Sequence, residues 1–574
     1  MFMNNKIVNL SLINHLVALE NDFEYFTEVN SASKNSIKDY VIFSGGTGSK
    51  QIQKALLLEK NVDPRKIEII INMYDDGKST GRCRQLFDIL GPSDLRKNHE
   101  TQANLIYGPD GIVERYLKES SDETDMDIYI HKTLQVLLFR HELINSIMSK
   151  RMPKSPFFKR VSDINSGTSA FSSYNEIMYH IDTCFINIEK KINEYNKECI
   201  NSNNHILSIH PSDVLYPANI EYNQDCTHYN EFRKSVYYVF FRDIVTSFFK
   251  KTYSNILKDD YSLSAYPKIM SKDNSVYEIS LFDLTLLKQK EYFDLDDFSI
   301  GNIVYSVLIE TAKNIKNLES KPVEAASKLV CSILNIPDNV SLISERNLYL
   351  KGSVGDINIP AVTLSLPDEA SIVDFGKDLE KQWKRNSETR YIKDVYLEDR
   401  NSTGTFKTVH PIVGEDRYGN PVNNSFIRDL VALSKNIIIS SGTFWSSLYP
   451  TFYHSDFKDV LRDTNGTITV VMNRVQDFDM PNTSINDYIL LTYDSLFDSP
   501  SSTDNWAVKN NKKINIIMDS TSDYNNDFDK DKLEESCNGI LKTLNISKRQ
   551  LTLASDIAKS DKIHNYKKLA AVLK

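Results

Sequence analysis

Two short stretches near the start of this 574-residue chain hold the residue types best suited to chemistry. In "FSGGTGSK", Phe43 to Lys50, three of the chain's nineteen glycines, Gly45, Gly46 and Gly48, surround Thr47. A backbone without side chains can approach an anion closely, and a helix starting there would offer free N–H groups and a positive dipole end, so phosphate is the natural occupant. In "YDDGKSTGRCRQLFDILGPSDLRKN", Tyr74 to Asn98, Asp75 and Asp76 precede Gly77, and Lys78, Arg82, Arg84, Arg96 and Lys97 follow. Adjacent carboxylates at a strand end can hold a hard cation such as Mg²⁺, or one can accept a proton from a hydroxyl nucleophile. The cations can neutralise a diphosphate. Arginine does so as a bidentate fork, which gives Arg82 and Arg96 more weight than Lys78.

Each stretch alone has a plainer reading. The glycines lack both the third Gly of GxGxxG and the Lys-Ser/Thr pair of a Walker loop, so by themselves they could serve a tight turn. Asp-Gly is common in turns, and a run of Lys and Arg is usually a solvated face. Their succession across one βαβ unit is what points to phosphate chemistry.

The elements that must position these groups are five apolar runs, at 41–43, 67–73, 436–440, 467–472 and 514–518. None alternates polar with apolar, so each reads as a strand buried on both faces. Each ends in small or polar residues, and in a parallel α/β sheet such endings face the ligand crevice. The expected fold is α/β, a Rossmann-like doubly wound, mainly parallel sheet. From 108 to 297 the pattern is helical, as in "HKTLQVLLFRHELINSIM", and is read as a large insertion forming a lid. The expected organisation is therefore 1–107 and 298–574 as the two parts of a nucleotide-binding domain, with 108–297 between them. Segments 343–366 and 391–399 read as β-rich pieces at a sheet edge. The aromatic run "SVYYVFFRDIVTSFFKK", Ser235 to Lys251, reads as core.

Composition narrows the partners. The hydrophobic content of 41% is ample for a sizeable core, and no apolar run reaches the length of ~18 residues that a membrane span needs. The start shows no export signal, and six scattered cysteines without a CxxC pair suit reduced thiols, so a cytoplasmic protein is expected. A formal charge of −9 argues against a nucleic-acid binder. No membrane partner and no bound organic cofactor is expected, and a homo-oligomer stays open. His99, His131 and His410 have no motif around them and default to structural or exposed roles.

"FSGGTG", "YDDGKSTGR" and "GPSDLRKN" resemble the three N-terminal motifs of the family that joins 2-phospho-L-lactate transferase (CofD-like) with the gluconeogenesis factor (YvcK-like, UPF0052). Later stretches agree in order: "SIGNIVYSVLIE", "NIIISSGTFWSSLYP" (Asn436 to Pro450) and "HNYKKLAAVL" (His564 to Leu573). Ser93, Lys97 and Ser440-Ser441 depart from the family's usual residues. The resemblance implies either a transferase, moving a phospholactyl-type group from a nucleoside-diphosphate-linked donor to a hydroxyl with Mg²⁺, or a nucleotide-sugar-binding regulator of carbon metabolism without turnover. It implies Asp75 and Asp76 for the metal or the acceptor hydroxyl. It implies Gly45, Gly46, Thr47, Gly48, Ser79, Arg82, Asp94, Arg96, Asn302, Gly442 and Thr443 for the substrate and nucleotide. A GDP- or UDP-linked donor remains open, as does the acceptor.

Overall fold

The computed structural model describes residues 37–45, 48–74, 78–119, 124–152, 169–202, 204–215, 235–254, 268–270, 276–278, 295, 298–356, 359–365, 390–400, 406–473, 483, 485–497, 514–518, 551–553, 558–560, 563–564 and 566–573. Gly46, Thr47, Asp75, Asp76 and Gly77 lie outside this set, as does the side chain of Ser79. The chain forms two compact units. The described residues of one fall within Gln85–Phe87 and Tyr107–Thr311, and those of the other within 37–84, Asp88–Ile106 and Ala312–Lys574.

The second unit is built on a sheet of β1 (Tyr40–Ser44), β2 (Ile67–Ile71), β3 (Val340–Leu342), β4 (Asn436–Ile439), β5 (Thr467–Val471), β6 (Ile514–Met518) and β7 (Leu551–Leu553). The spatial order is β7-β6-β5-β4-β1-β2-β3, and every neighbouring pair is parallel. All five apolar runs are strands of this sheet. β1 and β2 are buried along their whole length, the signature of strands covered on both faces. β3 and β7 were missed, because three residues are too few to show a period. From β1 the chain winds outward through β2 to β3, then returns to the other side of β1 and winds outward through β4, β5, β6 and β7. This is the doubly wound arrangement, with its switch point between β1 and β4.

Four helices of this unit bear on the site: α1 (Lys50–Lys54), α2 (Lys78–Phe87, whose last turn belongs to the other unit), α3 (Ser93–Tyr107) and α4 (Pro322–Leu334). The terminal helix Tyr566–Val572 packs on the segment after β1, with the Lys54 ammonium 4.3 Å from the centre of the Tyr566 ring. At the start of β2, Glu68 forms a buried ion pair with Lys38 at 3.2 Å, and Ser341 Oγ of β3 donates to it at 2.6 Å.

The β-rich pieces do not sit at an edge of the parallel sheet. Tyr349–Asp356, Ile359–Ser365, Arg390–Arg400 and Phe406–Val409 form a separate antiparallel sheet of four strands. Alternation is the physical reason: along 395–398, Val395 and Leu397 are buried while Tyr396 and Glu398 are half-buried, and such strands need cover on one face only.

The first unit is largely helical, with Asp125–Met148, Ser169–Asn201 and Val236–Ser254 as its long helices. Antiparallel pairing of the first two is marked by Lys191 with Glu142 and by Phe139 against Tyr195, ring centres 5.7 Å apart. Phe241 and Phe248 of the aromatic run are 0% exposed, as expected of core. Among the described residues, no helix is long and apolar enough to cross a membrane.

Candidate functional site

The C-terminal ends of β1, β2, β4 and β5 meet at one edge, and direct bonds join them. Ser440 N–H donates to Phe43 O at 2.9 Å, so the loop after β4 leaves alongside the end of β1. Gly91 N–H donates to Met73 O at 3.1 Å, which brings the start of α3 to the end of β2.

The loops after β1 and β4 interlock. A Cβ on Gly48 would stand 1.5 Å from Ser441 O and 2.7 Å from Ser441 C, and one on Gly45 would stand 2.8 Å from Ser447 Cβ. Their missing side chains are therefore required for contact with the chain itself. Gly442 differs, because its Cβ would meet nothing closer than Ser447 Cβ at 3.5 Å. Thr443 Oγ1 lies 2.7 Å from both Ser446 Oγ and Ser447 Oγ at the start of a π-helical turn, Phe444–Leu448. A second π-helical turn, Ala55–Glu59, continues α1. Wide turns of this kind recur at functional sites.

Buried carboxamides tie the loops down. Asn98 of α3, 0% exposed, accepts from Ser49 Oγ at 2.8 Å and from Gln53 Nε2 at 3.1 Å. It donates to Asp94 O at 2.9 Å and to Gly45 O at 3.4 Å. Asn473, just past β5, accepts from Gly442 N–H at 2.9 Å and donates to Gly442 O at 2.7 Å. Asn72, just past β2, donates to Ser447 O at 2.7 Å and to Thr451 Oγ1 at 2.8 Å. Sequence reasoning missed all three. Each stands one or two residues beyond an apolar strand or beside a charged motif residue, the only signal that could have found them.

The charged residues divide. Asp94 and Arg96 stand in the first turns of α3, buried, Asp94 paired with Lys97 at 3.0 Å and Arg96 with both Glu100 oxygens at 2.6 Å. Arg82 is half-buried on α2. Arg84 is not an anion fork: at 1% exposure it donates to Tyr74 O at 2.7 Å, to Asn347 Oδ1 at 3.2 Å and to Leu348 O, with Tyr349 stacked on its guanidinium at 4.6 Å. Carbonyls inside the fold have claimed both of its Nη nitrogens. Asn302, 1% exposed, opens helix Ile300–Lys313 in the helical unit.

Tyr74 is held at its other end too. His454 Nδ1 lies 3.1 Å from both Pro450 O and Thr451 O, so that nitrogen carries the proton and Nε2 accepts from Tyr74 OH at 3.3 Å. Burial lowers the His454 pKa to about 4 and raises that of the Tyr74 phenol. His99 contacts Ser327 Oγ at 3.2 Å and Cys331 Sγ at 3.5 Å on α4, and burial lowers its pKa to about 3. It is a core histidine, as its lack of a motif implied. Among the described residues, no group of three or more His, Cys, Asp or Glu side chains is placed to hold a metal ion.

No family model matches the chain, and no curated protein matches it. Two solved structures of protein BH3568 from Bacillus halodurans are similar to it, one described as a member of the UPF0052 family. At 14% and 12% identity, each with a TM-score of 0.40, they cover 93% of this chain and 99% and 98% of those chains. The family so described is the one that the sequence motifs resemble. The fold rests on the strand order.

Proposed function

We propose that this chain binds a nucleoside-diphosphate-linked small molecule at the switch point between β1 and β4 and transfers its phosphate-linked group to a hydroxyl acceptor. The observation that carries the reading is the strand order. In doubly wound sheets the crevice opens where the winding direction reverses, and the Gly45–Gly48 and Ser440–Thr443 loops flank that point. Backbone N–H groups of these loops would hold the phosphates, with Arg82 and the first turns of α3 beside them. Such a transfer asks little covalent chemistry of the protein and much positioning and charge neutralisation.

In this reading Asp76 or Asp75 accepts the acceptor's proton. The same two carboxylates are the residues that would hold Mg²⁺, whose charge would neutralise the diphosphate. A nucleotide-sugar regulator without turnover is the second reading. It is favoured by the pairing of Arg96 with Glu100 and of Asp94 with Lys97, which leaves α3 nearly neutral where transfer would gain from net positive charge. The deciding experiment screens GDP-, UDP- and ADP-linked compounds by calorimetry with and without Mg²⁺, followed by mass spectrometry of each mixture with hydroxyl acceptors. A new phosphodiester supports the transferase, tight binding without consumption supports the regulator, and no binding at all refutes both.

A further inference from the structure

The loops after β1 and β4 lie outside the sheet's hydrogen-bond ladder, where water ordinarily satisfies backbone polar groups. Here side chains do so. Asn473 saturates both the N–H and the C=O of Gly442 with one carboxamide, at 2.9 and 2.7 Å. Asn98 spends its oxygen on Ser49 and Gln53 and its nitrogen on the Asp94 and Gly45 carbonyls. The two clamped loops touch each other where Gly48 meets Ser441 with no room for a methyl group. Moving either loop therefore moves the other.

We propose that Asn98 and Asn473 are positioning residues: they hold Gly45 and Ser49 after β1 and Gly442 after β4 in one fixed arrangement, so that other backbone N–H groups of these segments, not the Gly442 N–H that Asn473 occupies, receive a diphosphate already ordered. A loop that is ordered before binding loses no further conformational freedom when the ligand arrives, so the benefit appears as affinity. Asparagine suits the task because one planar group donates and accepts together and brings no charge to compete with the ligand's. The choice of ligand rests on the nucleotide reading above, whereas the clamping rests on the geometry alone.

The test pairs two readouts on the full chain. Amide hydrogen exchange at Gly442 and across 440–448 reports the loop, and calorimetry with GDP, UDP and inorganic pyrophosphate reports the ligand. In Asn473→Ala we expect cooperative melting to survive, Gly442 protection to fall at least tenfold, and affinity for the diphosphates to fall at least tenfold. Affinity for guanosine or uridine should stay unchanged, which a general loss of structure would not allow. Asn98→Ala should act in the same direction. Because Asn98 is fully buried, Asn98→Ser and the half-buried Asn473 keep the test decisive if that variant fails to fold. Unchanged Gly442 protection overturns the proposal, as does lost protection with diphosphate affinity within twofold of wild type. If wild type binds none of the three probes while Asn473→Ala still loses Gly442 protection, the clamp stands and the nucleotide reading falls.

Discussion

Replacing Gly48 with alanine tests the interlock directly. The new Cβ would lie 1.5 Å from Ser441 O, whereas real contacts essentially never fall below 3.0 Å, so the loops must part by at least 3.0 − 1.5 = 1.5 Å. The obstacle is a backbone carbonyl, two residues past the end of β4, and no rotamer change can relieve it. Overpacking against a well-packed site costs ~1–3 kcal/mol, and backbone displacement puts Gly48→Ala at the upper end, ~3 kcal/mol or more. The neighbours calibrate that figure. At Gly45 the clash is 2.8 Å with a side-chain carbon of Ser447, so Gly45→Ala should cost less, ~1–2 kcal/mol. At Gly442 the nearest atom is 3.5 Å away, an ordinary contact, and Gly442→Ala should be within ~0.5 kcal/mol of wild type. Urea unfolding followed by Trp fluorescence and by circular dichroism would rank the three. Gly48→Ala within ~0.5 kcal/mol of wild type, or no more costly than Gly442→Ala, would refute the interlock.

Other outcomes follow from the same geometry. Burial holds the His454 and His99 pKa values down to about 4 and about 3, below the usual histidine value of about 6.5, so the fold favours their neutral forms. Their contribution is complete above pH 6.5 and is lost as pH falls towards 4 and 3. In that window each should lower stability by up to ~1.4 kcal/mol per pH unit, and His454→Gln should remove that much from the slope in urea titrations at stepped pH. Glu68→Gln should cost ~3–5 kcal/mol by leaving Lys38 charged and unpaired, while Lys38→Met with Glu68→Leu should cost far less, as thermal unfolding would show. Asp76→Asn should lower turnover ~10²-fold with donor binding retained, and full activity would remove Asp76 from the mechanism.

The strands were legible because burial on both faces forces continuous apolar runs. Val41 to Phe43, Ile437 to Ile439 and Ile468 with Val470 and Val471 announce themselves without context. Their winding order was legible only as a class, since periodicity carries no information on which neighbour a strand chooses. The glycines were legible as places that exclude a side chain, but not for the reason at Gly45 and Gly48, where the excluded volume belongs to residues some four hundred positions away in the chain. Arg84 misled for a related cause. Its type fits an anion fork, yet Tyr74 O, Asn347 and Leu348 O use its two Nη nitrogens, and long-range partners of this kind leave no trace in local spacing.

The three missed asparagines expose a division of labour that a search for charged motifs overlooks. A site meant for a diphosphate must be rigid where its backbone donates, yet a Lys or Asp used as a strut would add its own charge beside the ligand's. Carboxamides avoid that conflict. Asn72 just past β2, Asn98 within α3 and Asn473 just past β5 each tie the loop after β1 or the chain after β4 through bonds of 2.7–3.4 Å. The charged groups Asp94, Lys97, Arg96 and Glu100 instead pair along α3, where their fields largely cancel. Among the described residues of α2, Arg82 adds a half-buried cation to what the loops' backbone N–H groups supply. On this account ligand selection by charge should be most sensitive to Arg82: Arg82→Gln should weaken diphosphates more than monophosphates in calorimetry, while leaving Gly442 exchange untouched. Equal losses for both would mean that α3, despite its internal pairing, supplies the discrimination.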